Sequence, residues 1–118
     1  MMIEQWLEDF HAAWKGHDVP RVMELFTDDV QYYETPFRKI ASKLELEKEW
    51  QVILNQHDIQ VSWDVFCSSP DGKHAIMWKL SYMADGEHTT RGTYLIGLDS
   101  EGLCNFFYYT SESERNAL

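Results

Sequence analysis

Three side chains in this sequence have the type and spacing to move a proton. Tyr82 and His88 flank an Asp85-Gly86 pair, and Tyr94 follows His88 at an even interval. Asp-Gly between alternating apolar residues is a strong hairpin signal, and period-2 alternation then places His88, Thr90, Gly92, Tyr94 and Ile96 on one strand face. An imidazole titrates near ~6.5, within reach of neutral pH, and a phenol donates a hydrogen bond. Tyr94, His88 and Tyr82 are therefore the candidate catalytic groups for an acid–base reaction without a cofactor, such as isomerisation, dehydration or cyclisation. The competing reading of His88 is a solvated residue at a strand end.

Other chemistries lack a signature. There is no G-x-S-x-G, and neither Cys67 nor Cys104 has a local histidine context. The five histidines form no H-x3-H or H-E-x2-H pairing, so no metal site is expected. Arg21, Arg38, Arg91 and Arg115 are too scattered for a phosphate clamp, and no glycine-rich phosphate loop exists. His11, beside Phe10, is expected at the surface or edge of its helix. Glu34, Asp64 and Arg91 alternate with core positions and are expected to point outward.

The elements that position these groups follow from hydrophobic period. Ile3, Trp6, Leu7, Phe10, Ala13 and Trp14 recur at helical spacing up to Gly16. Asp18 and Pro20 suit the first turn of a second helix running to Phe26, where Asp28-Asp29 breaks the pattern. Val30 to Tyr33 reads as a short strand, with 37–41 as a loop. Ser42 and Glu45 form a capping box for a third helix that turns Leu46, Trp50 and Ile53 inward. From His57 the period changes to 2, and four strands follow, the last running from Leu103 to Ser111. Three helices followed by a meander predict an α+β domain with helices on one face of an antiparallel sheet.

A chain of 118 residues suits one domain, 1–111, followed by a polar tail, 112–118. Its five Trp, six Tyr and six Phe can fill a core or wall a cavity. A net charge of −10 opposes phosphate backbones and anionic lipid, so neither nucleic acid nor membrane is an expected partner. The start lacks a basic region followed by an apolar run, and no stretch approaches the ~18 apolar residues of a membrane span. Two reduced thiols in a cytoplasmic protein is the expectation.

The W-x7-W spacing of Trp6 and Trp14, the G-H-D loop at 16–18, L-F-T-D-D-V from Leu25 with its E-T-P ending, G-L-D-S-E-G at 97–102 and the final aromatic strand occur in a telling order. Together they resemble the nuclear transport factor 2-like superfamily, nearest to its SnoaL-like and ketosteroid-isomerase-like domains, over roughly residues 3–110. The resemblance implies a cone-shaped half-barrel, open at one end, with three N-terminal helices packed on a curved antiparallel sheet and a homodimer formed through the outer sheet face. An apolar strip of Met77, Met83, Leu95 and Phe106 or Tyr108 on that face agrees.

The same resemblance turns the Tyr94 face into the cone and builds the remaining wall from Phe10, Trp14, Phe26, Tyr33, Trp50, Trp78, Tyr82, Phe107 and Tyr109. A small apolar or aromatic molecule with one or two polar anchors is the implied occupant, with no cofactor. The alternative is that the rings fill the core, leaving a protein-interaction module. Steroid-isomerase chemistry is not implied. The position of the family's base falls on Thr35, its first donor on Phe10, and only Tyr94, at the second donor position, keeps a hydroxyl.

Overall fold

The computed structural model describes residues 2–114. The helical pattern yields α1 (Met2–Lys15), which buries Ile3, Trp6, Leu7, Phe10, His11 and Ala13. Asp18 caps α2 (Val19–Glu24) by accepting a hydrogen bond from the Arg21 amide at 3.1 Å, with Pro20 in the first turn. This helix stops short of its expected end at Phe26. The Leu25 carbonyl instead accepts from the Cys104 amide at 2.9 Å and from the Trp6 indole at 3.0 Å, and Phe26 opens β1 (Phe26–Thr35). Asp28-Asp29 lies inside that strand, where its pairing is irregular between Phe26 and Gln31.

The expected loop at 37–41 contains a strand, β2 (Arg38–Ile40), which pairs antiparallel with β1. Ser42 accepts from the Glu45 amide at 3.2 Å, and the Glu45 carboxylate reaches back to the Ala41 amide at 3.3 Å. These bonds start α3 (Lys43–Trp50), which tightens into a 3-10 turn, Gln51–Asn55. The meander is β3 (His57–Ser68), β4 (Lys73–Met83), β5 (Glu87–Leu98) and β6 (Cys104–Ser113). Met83 pairs with Glu87 across the hairpin, whose Asp85 and Gly86 adopt positive φ of 52° and 115°.

The curved sheet has order β2-β1-β6-β5-β4-β3. It is antiparallel at every junction except β1–β6, which run parallel; the long connection through α3 and the meander permits this. The last strand reaches beyond Ser111: Glu112 pairs with Arg91 and Ser113 with Thr90. Residues 115–118 of the expected tail lie outside the described residues. Among the described residues, no helix is long and apolar enough to cross a membrane.

The helices cover one sheet face, and Phe10 is the hub of the core between them. Its ring lies 4.8 Å from Trp6, 5.3 Å from Trp50 and 5.7 Å from Phe107, centroid to centroid. Burying each such ring stabilises the fold by roughly 1.5–3 kcal/mol. The other sheet face keeps Met77 53% and Leu95 44% exposed, with Tyr33 and Tyr108 in contact beside them at 5.7 Å.

Candidate ligand-binding site

The core does not close. Between α1, the α3–3-10 segment and the inner sheet face lies a cavity of about 350 Å³. Of the expected wall residues, Phe10, Trp14, Trp50, Trp78, Tyr82, Tyr94, Phe107 and Tyr109 line it. Phe26 is buried away from it, packed edge-on against Trp6, Phe10 and Phe107. Tyr33 faces the opposite side of the sheet, against Phe106 and Tyr108, and Tyr32 takes the inward position. Thr35 is exposed, and its hydroxyl accepts from the Phe37 amide in the following turn. A strand allows only one of two adjacent residues to face inward, which excludes Tyr33 once Tyr32 is in.

His88 is not in the wall. Its Nε2 donates to the Ala84 carbonyl at 2.7 Å, and its ring stacks at 5.0 Å on Tyr82, which does line the cavity. His11 also meets a wall tyrosine, Tyr94. It is 2% exposed, where a surface or edge position was expected. Its Nε2 lies 3.1 Å from the Tyr94 hydroxyl, and its ring stacks on Trp63 at 4.7 Å. Burial lowers its pKa to about 4, against a smaller raising effect of the Leu7 carbonyl one helical turn back. That carbonyl does not form a hydrogen bond of ordinary geometry with Nδ1, which has no partner among the described residues. His11 is thus a neutral imidazole at neutral pH. Burial likewise raises the Tyr94 phenol well above its usual range, so the pair holds its proton.

The polar rim is a second departure. Glu34, expected outward, lines the cavity together with Glu49. Arg38 on β2 joins them: its guanidinium bonds Glu34 and, at 2.7 Å, Glu49, with Glu45 at 3.9 Å. Tyr109 beside them is pushed up to about 12, first by burial and then by the negative charge of Glu34 and Glu49, with Arg38 opposing. The Trp14 indole donates to Gln56 at 2.7 Å, and the buried Trp78 indole N–H has no partner among the described residues. Among the described residues, no three His, Cys, Asp or Glu side chains gather to hold a metal ion.

This architecture has the nuclear transport factor 2-like fold, shared with solved structures of varied activity. A Δ5-3-ketosteroid isomerase from Mycobacterium sp. superposes with a TM-score of 0.79 at 16% identity, covering 95% of this chain and 98% of that one. A Mycobacterium tuberculosis protein in complex with estradiol-17β-hemisuccinate gives 0.73 at 19% identity, covering 88% of each chain. An epoxide hydrolase/cyclase-like enzyme of pyran ring formation in the polyether salinomycin gives 0.79 at 10% identity, covering 95% of each. At such identities the likeness establishes the fold, and the varied activities of these neighbours leave the specific activity undetermined. No family model and no curated protein sequence matches the chain.

Proposed function

We propose that the cone binds a small apolar or aromatic molecule. The observation that carries this reading is the aromatic-walled cavity of about 350 Å³, within the range of small-molecule sites. Rings that only filled a core would leave no such space, so binding is favoured over a pure interaction module. The neighbour holding a steroid hemisuccinate supports the same use of the fold. Flat hydrophobic probes are expected to quench tryptophan emission saturably with micromolar affinity, about −8 kcal/mol. An emission that drifts linearly with probe, with no saturation, removes the proposal.

Among the catalytic candidates, Tyr94 and Tyr82 face the cavity, while His88 is committed to the Ala84 carbonyl. An acid–base reaction would therefore draw on Tyr94 with His11 behind it, and binding needs no such step. We read the protein as cytoplasmic, in keeping with two free thiols, Cys67 and Cys104. Homodimerisation is expected through the sheet face that carries Met77 and Leu95, because an exposed apolar strip of this kind is usually buried by a partner. Sedimentation at micromolar concentration should give twice the monomer mass; a monomer throughout would exclude that interface.

A further inference from the structure

The rim of the cavity is biased toward one sign of charge. Three carboxylates, Glu34, Glu45 and Glu49, share the single guanidinium of Arg38, and two of the three are in the cavity wall. We propose that the natural occupant is cationic: an apolar or aromatic ammonium ion whose charged end sits at the Glu34–Glu49 rim. The proposal rests on the binding-site reading above and narrows it to a ligand class.

Three features converge on that class. First, Arg38 is no free anchor for an anion. Its Nη1 and Nη2 already donate to Glu34 and Glu49, and an incoming carboxylate would stand beside these two negative charges. An ammonium ion instead adds donors to carboxylate oxygens that have lone pairs to spare. Second, the field reaches inward. The negative charges of Glu34 and Glu49 raise the Tyr109 phenol in the cavity wall, and Arg38 opposes them. Third, the cavity wall includes the aromatic rings of Trp14, Trp50 and Tyr109, whose quadrupoles attract cations. The net charge of −10 on the whole chain would further steer a cation toward the molecule.

The glutamates are partly solvated, with side chains 30% and 38% exposed for Glu34 and Glu49, so the preference should be moderate and salt-sensitive. Calorimetry at low salt and neutral pH with three matched probes tests it: 2-naphthylmethylammonium, 2-naphthylmethanol and 2-naphthoate. The ammonium ion is expected to bind about tenfold more tightly than the alcohol, with 2-naphthoate the weakest. In the double variant E34Q/E49Q the affinities for the ammonium ion and the alcohol should converge, and 2-naphthoate should gain affinity relative to both. Equal binding of all three by the wild type, or tighter binding of 2-naphthoate, overturns the cationic assignment and leaves the binding site standing. Failure of all three to bind overturns the site and the assignment together.

Discussion

Lowering the pH from 7 to 4 is expected to remove about 3 kcal/mol of stability through one side chain, His11. In the unfolded chain its imidazole titrates at 6.5; in the fold, burial brings this to about 4. Between those values the unfolded state binds more protons than the folded one, so stability falls as pH drops through the window and is flat above it. Burial of His74 acts in the same direction, but that side chain is more exposed and contributes less. The variant H11F isolates the effect. Phenylalanine can keep the stack on Trp63 but leaves the Tyr94 hydroxyl unpaired, a cost of ~1–3 kcal/mol at pH 7. The variant should start less stable than the wild type, lack most of the decline and meet or cross the wild-type curve near pH 4. Urea melts at half-unit steps measure both curves. If they run parallel, the imidazole is not held neutral by burial.

That residue also shows where the sequence was legible and where it was not. The stripe that defines α1 was plain, and His11 belongs to it: it follows Leu7 by four residues, one turn along the buried ridge. Its polarity argued for the surface, and the partner that makes burial tolerable, Tyr94, is 83 residues away. Local pattern cannot register such a partner. The meander strands were readable because their apolar residues alternate over long runs, as Ile76, Trp78 and Leu80 do in β4.

Strand β1 failed for a related reason. Adjacent Tyr32 and Tyr33 leave its parity ambiguous, and a shift of one position turns every side chain to the other face. Taking Tyr33 as inward sent Glu34 outward and hid the rim. The clue was Gln31: Val30 and Tyr32 make the apolar alternation, and Glu34 follows on their face. Strand β2, with three residues and two of them charged, carried no usable period. Without it Arg38 had no reason to meet Glu49, eleven residues on.

Trp78 decides how the cavity wall and the core divide the same ring. It is 6% exposed, stacks on Tyr94 at 5.3 Å with 17° between planes, and also lines the cavity. Opposite it on β5 is Gly92, where an added Cβ would fall 2.9 Å from the indole edge, so the ring lies directly over the backbone. W78A should cost ~3–5 kcal/mol, since the surrounding sheet cannot collapse into the space. W78F should cost well under half of that. It keeps an aromatic face against Tyr94 and removes an indole N–H that is buried without an acceptor among the described residues, a group whose desolvation itself costs ~1–3 kcal/mol. Probe binding separates the second role. W78F should retain saturable binding of flat probes within a few-fold of the wild type, whereas W78A, with a wall missing, should bind roughly tenfold more weakly. Denaturant melts and probe titrations on the same two preparations give both readings. If W78F proves as costly as W78A, the indole N–H has a partner after all. If W78A binds as tightly as the wild type, Trp78 is core alone, and the ligand touches the other rings.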